Sequence, residues 1–103
     1  MNGNMTKTNE IGQTIAAQIG NAAFCMIGAR DILATAEGLQ FKVGSNPRRI
    51  SAIQVELDPS DTYTLRFWKG RGVNMVEVSA VSFVYADSLR ATITAETGLY
   101  TSL

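Results

Sequence analysis

The chain has 103 residues, nine Lys and Arg against nine Asp and Glu, no His and one Cys, a length for a single domain. The missing His excludes Ser–His–Asp and Cys–His nucleophilic machinery, and a lone Cys excludes an internal disulfide framework and, without His, a conventional zinc site. Zero formal charge argues against a surface coated in cations for DNA, and 46% apolar residues argue against disorder.

Residues 1–7 are polar and read as a flexible N-terminus ahead of a single α+β domain over 8–103. No apolar run follows Lys7, so no secretory signal is read there. The longest apolar run, 22–27, is too short to span a bilayer. A cytoplasmic location is the expectation. Thr8 or Asn9 is a candidate helix cap. Ile11, Ile15 and Ile19 then recur every four residues as one apolar stripe, and Gly20 stops the helix. Gly12 weakens that helix. The run 22–27 fits either a short buried strand or a helix, and Cys25 within it reads as a small buried hydrophobe. Residues 29–38 read as a mixed connector, with Ile32 and Leu33 tucked onto the core.

Alternation is clear in the middle. Leu39, Phe41 and Val43 alternate with Gln40 and Lys42. Ile53, Val55 and Leu57 alternate with Gln54 and Glu56, and Tyr63, Leu65 and Phe67 with Thr64, Arg66 and Trp68. Gly44-Ser45-Asn46-Pro47, Asp58-Pro59-Ser60-Asp61 and Lys69-Gly70-Arg71-Gly72 are turns. A further strand runs from Val73 to about Phe83, with a bulge near Ser79-Ala80. From Ala86 the period becomes helical, through Leu89 and Ile93 to Gly98 as C-cap. Asp87-Ser88 reads as the helix cap and Tyr85 as a buried aromatic with a satisfied hydroxyl. Leu99 and Tyr100 fold back on the last turn. The expected fold is a two-layer α+β sandwich. An antiparallel meander of four to five strands is flanked by an N-terminal and a C-terminal helix.

Alternate turns of a meander share one end of the sheet. Sequential strand order therefore collects Arg48, Arg49, Lys69 and Arg71 at one end and Asp58 and Asp61 at the other. Lys42, Arg66 and Trp68 share the outer sheet face. Trp68 beside these cations suits base stacking or a phosphate, although a four-cation tip is small for strong salt-linked binding. Trp68, Val73 and Met75 form a candidate apolar cluster, suited to a protein partner or a homodimer.

Motifs for chemistry are sparse. Gly70-x-Gly72 is no dinucleotide fingerprint, and there is no P-loop. Asp58 and Asp61 are the best acid–base or cation-binding pair, yet their turn explains both. No catalytic, metal-ligating or cofactor-binding residue is assigned, and no cofactor is implied.

Several segments resemble a group of small proteins of tailed phages, prophages and bacterial mobile elements. They include Gly38-Leu39-Gln40-Phe41-Lys42-Val43, the stretch Val55 to Thr64, Val84-Tyr85-Ala86-Asp87-Ser88-Leu89 and Thr97-Gly98-Leu99-Tyr100-Thr101. The Asp61-Thr62-Tyr63 and Tyr85-Ala86-Asp87 pieces are the more specific. The resemblance implies a phage-type setting and carries no functional residue over. In that setting a non-enzymatic accessory protein acts by protein–protein contact, including inhibition of a host or defence factor. Nucleic-acid binding through Lys42, Arg48, Arg49, Arg66, Trp68, Lys69 and Arg71 is the alternative. A small enzyme using Asp58 and Asp61 is the weaker one.

Overall fold

A computed structural model of the protein describes residues 3–101. The first helix, α1, spans Gly3–Ile19. It begins upstream of the cap expected at Thr8 or Asn9, because no Pro interrupts helical backbone before Ile11. Met1 and Asn2, part of the N-terminal extension read from the sequence, lie outside the described residues. Ile15 and Ile19 are fully buried, as their stripe requires. Gly20 breaks the helix at φ 90°. A second short helix, α2, follows at Asn21–Met26. The apolar run is therefore helical, and it buries Ala23 and Phe24. Cys25 points outward and is exposed, contrary to its reading as a core residue.

Five strands follow in a single sheet, ordered as in the sequence: β1 (Arg30–Ala34), β2 (Gly38–Lys42), β3 (Ala52–Leu57), β4 (Tyr63–Lys69) and β5 (Val76–Val84). Every neighbouring pair is antiparallel. Residues 30–34 are thus an edge strand, and Ile32 and Leu33 are exposed rather than tucked onto the core. Their alternation is broken by a bulge at Asp31, whose φ is 54°. The last strand starts at Val76, not Val73, because Gly72–Asn74 form a 3-10 turn. Its irregularities fall at Val78 and at Ser82–Phe83, on either side of the bulge expected near Ser79-Ala80.

After β5 a 3-10 turn at Ala86–Ser88 leads into α3 (Leu89–Thr97). Ser88 occupies the N-cap position without a side-chain capping bond, so the expected Asp87-Ser88 cap does not form. Gly98 ends the helix at φ 80°, and its N–H donates to the Thr94 carbonyl. Leu99 packs on the core, whereas Tyr100 and Tyr85 are exposed. Tyr85 lies beyond the last ladder pair, Tyr63–Val84, and is exposed.

The fold is a compact α+β sandwich with the helices on one sheet face. Leu39, Phe41, Ile53, Val55, Leu65 and Phe67 point inward against Ile15, Ile19, Ile27, Leu89 and Ile93. Each such side chain contributes about 2 kcal/mol when fully buried. Phe24 meets Phe41 edge to face at 5.3 Å between ring centres. Tyr63 donates its hydroxyl to Gln18 Oε1 at 2.8 Å, tying α1 to the start of β4. Gly12 belongs to this packing. A Cβ there would stand 2.8 Å from the Ala34 Cβ, so the helix passes close over the β1–β2 hairpin.

Candidate binding groove on the outer sheet face

The face away from the helices has no cover, and its side chains are set by the ladder. Lys42, Ala52, Trp68 and Glu77 form one cross-strand row. Gln40, Gln54, Arg66 and Ala80 form the next. Opposite residues of antiparallel strands point to the same side. The small Ala52 therefore leaves a depression between Lys42 and Trp68. With Leu33, Gln54 and Met75 as walls, it becomes an open, largely apolar groove of about 420 Å³.

Polar contacts hold this face in place. Trp68 Nε1 donates to Gln54 Oε1 at 3.0 Å. Arg66 donates from Nε to Glu56 and from Nη1 to Glu77, both at 3.2 Å. These hydrogen bonds, Glu56 first and Glu77 second, raise the Arg66 guanidinium above its ordinary pKa. Lys42 pairs with Asp31 at 3.2 Å. The centre of the outer face is thus a matched grid of charges, not a bare cationic plane.

Further cations, Arg30 and Arg71 beside the paired Lys42, lie at one end of the sheet. Ser51 joins the β2–β3 and β4–β5 loops there, donating Oγ to the Gly70 carbonyl at 2.9 Å. A cleft of about 360 Å³ opens beside this bond, lined by Arg30, Lys42 and Arg71. It shares Lys42, Ala52 and Met75 with the apolar groove, so the two are continuous. Arg30 Nη1 donates to the Val43 carbonyl at 3.3 Å, which anchors it at the cleft wall. Among the described residues Arg71 forms no ion pair.

Lys42, Trp68 and Met75 therefore meet in the groove, and Arg71 joins Lys42 and Met75 in the cleft. Arg66 shares the face but is occupied by two carboxylates. Arg48, Arg49 and Lys69 sit exposed at the same end and line neither cavity. Val73 is 100% exposed and does not cluster with Trp68, because the 3-10 turn carries it away from the sheet. Two lining residues, Arg30 and Leu33, are not among the candidate site residues read from the sequence, which puts Leu33 on the core, because the bulge at Asp31 hides the strand that carries them. The available signal was the turn-like Thr35-Ala36-Glu37 just before β2, which implies a preceding partner strand.

The acidic pair does structural work. Asp58 Oδ2 accepts from Thr64 Oγ1 at 2.7 Å, and the Asp61 N–H donates to the Asp58 carbonyl at 3.0 Å, closing the turn. Among the described residues no cluster of His, Cys, Asp or Glu could hold a metal ion. No helix among them is long and apolar enough to cross a membrane. No protein-family model, curated protein or solved structure matches the chain.

Proposed function

We propose that the protein is a non-enzymatic binding protein whose outer sheet face captures a short acidic–apolar segment of a partner protein. One observation carries this reading: the apolar groove under Trp68, Leu33 and Met75 runs directly into the cleft of Arg30, Lys42 and Arg71. An apolar side chain fills the first and a neighbouring carboxylate meets the second. A rigid Trp with flanking cations is a common anchor for protein contacts. The matched ion pairs around Arg66 and Lys42 favour a ligand with one or two charges over a long polyanion. The resemblance to phage and mobile-element proteins supplies the setting, an accessory protein acting on a host or defence factor by contact.

Trp68 is the only Trp, so its fluorescence reports on the groove. The test titrates a short peptide bearing a Leu or Phe flanked by Glu, its Lys-flanked counterpart, and a single-stranded oligonucleotide. The acidic peptide is expected to shift Trp68 emission, and Arg71→Glu to abolish the shift. A response to the oligonucleotide alone, steeply weakened by salt, would replace this reading with nucleic-acid binding. No response to any of the three would remove the groove as a site.

A further inference from the structure

We infer that the free edge of β5 is a homodimer surface, on which two copies pair antiparallel about a two-fold axis and continue the sheet across both. This surface is separate from the outer-face groove and does not depend on it.

The strand is last in the sheet and pairs only with β4. Apart from that ladder, no backbone group of residues 76–84 bonds another backbone group among the described residues. Its outer row of N–H and C=O groups is therefore open to a further strand. Natural edges are normally guarded by Lys, Pro, short length or bulges. The opposite edge fits that pattern, because β1 has five residues, a bulge at Asp31 and the Asp31–Lys42 pair. β5 also carries two irregularities, but it has nine residues, VEVSAVSFV, with no Lys or Pro. Its one charge, Glu77, is turned to the outer face and held by Arg66. Its two irregularities leave Ser79, Ala80 and Val81 in unbroken register between them.

Two independent features choose a second copy as the occupant and set the direction. Exposed apolar groups sit at both ends of the strand, Val76 and Val78 at its start and Phe83 with Tyr85 at its finish. Antiparallel pairing lays the finish of each strand against the start of the other, so both clusters are covered twice. The charges obey the same geometry. Lys69 pairs with Val76 at the start, whereas the Asp58–Asp61 turn and Asp87 flank Val84 at the finish. An antiparallel dimer thus sets Lys69 of each copy toward Asp87 and the Asp58–Asp61 turn of the other, and a parallel one sets Lys69 against Lys69. Lys69 of one copy faces Asp87 of the other only in this direction.

Sedimentation velocity on the full chain tests this between about 1 and 100 µM, a range that captures micromolar dissociation constants. The wild type is expected to dimerise, more weakly in high salt. Val78→Lys is expected to weaken the dimer about tenfold or more, the scale of losing one well-placed contact. Lys69→Glu is expected to weaken it several-fold, and adding Asp87→Lys to recover most of the loss. Circular dichroism of each variant separates loss of pairing from loss of fold. A wild type that stays monomeric throughout would overturn the proposal. So would a dimer indifferent to Val78→Lys, or a folded charge-swapped variant no tighter than Lys69→Glu. Peptide binding at Trp68 is read separately, so either proposal can fail without the other.

Discussion

Trp68 on β4 and Gln54 on β3 are joined by an indole-to-amide hydrogen bond of 3.0 Å. The Gln54 amide then donates to Gln40 Oε1 at 3.4 Å, extending the chain to β2. These bonds fix which way the Gln54 amide faces, and with it the tilt of the indole over Ala52. Replacing Gln54 by Ala is expected to loosen Trp68 and lower its fluorescence anisotropy. Stability should fall by about 1 kcal/mol in urea unfolding, the usual net value of such a bond. Unchanged anisotropy would show that packing alone holds the indole.

Where α1 crosses the β1–β2 hairpin, glycine at positions 12 and 38 is a packing requirement. In an isolated helix Gly12→Ala would gain about 1 kcal/mol. Here the new methyl would lie 2.8 Å from Ala34 Cβ and 3.2 Å from the Gly38 carbonyl oxygen. The expected net result is a loss of about 1–3 kcal/mol from overpacking. Gly38→Ala should cost more, because its Cβ would collide with the Val55 carbonyl, which is backbone and cannot move aside. Thermal melts of both variants check the order.

Phe83 has the opposite problem. Its φ is 58° although it is bulky and 74% exposed. Left-handed backbone costs a non-glycine residue about 1 kcal/mol or more. Phe83→Gly is expected to raise monomer stability by about that amount while weakening self-association. Urea unfolding at low concentration measures the first effect and sedimentation the second.

Arg66 bridges Glu56 and Glu77 while more than a third exposed. Arg66→Ala should therefore cost only about 0.5–1 kcal/mol, despite two ion pairs. That cost should shrink in 1 M salt, where the Debye length is about 3 Å. Urea unfolding at two salt concentrations resolves it.

Tyr63→Phe removes the only described side-chain hydrogen bond between α1 and the sheet, leaving the partly buried Gln18 amide short of a donor. A loss of about 1 kcal/mol is expected, with faster amide exchange in the last turn of α1.

The strands that read most plainly are those buried on one face. Leu39/Phe41, Ile53/Val55 and Leu65/Phe67 alternate with polar neighbours because one sheet side meets helices and the other meets water. Residues 30–34 carry no such imprint. Both faces of that edge strand are largely exposed, and Asp31 shifts its register. Tyr85 and Cys25 misled for a related reason: apolar character marks a tendency toward burial, and the placement of neighbours decides whether cover exists.

The amino-acid sequence by itself determined the α+β class, the central meander, the absence of His and the placement of Arg48, Arg49, Lys69 and Arg71 at the sheet end opposite Asp58 and Asp61. Those properties follow from local periodicity, turn residues and composition, which act over a few residues. Only the tertiary structure decided that Leu33 reaches the groove and Arg30 the cleft, that Val73 leaves the groove and that Arg66 is matched by two carboxylates. It also left the nine-residue edge of β5 uncovered. These depend on strand register and on small steric facts, the methyl of Ala52 and the bulges at Asp31 and Phe83, which bring residues distant along the chain together or keep them apart. The zero net charge keeps its value but acquires a direction, because a sequential sheet puts the turns carrying Arg48, Arg49, Lys69 and Arg71 at the end opposite Asp58 and Asp61.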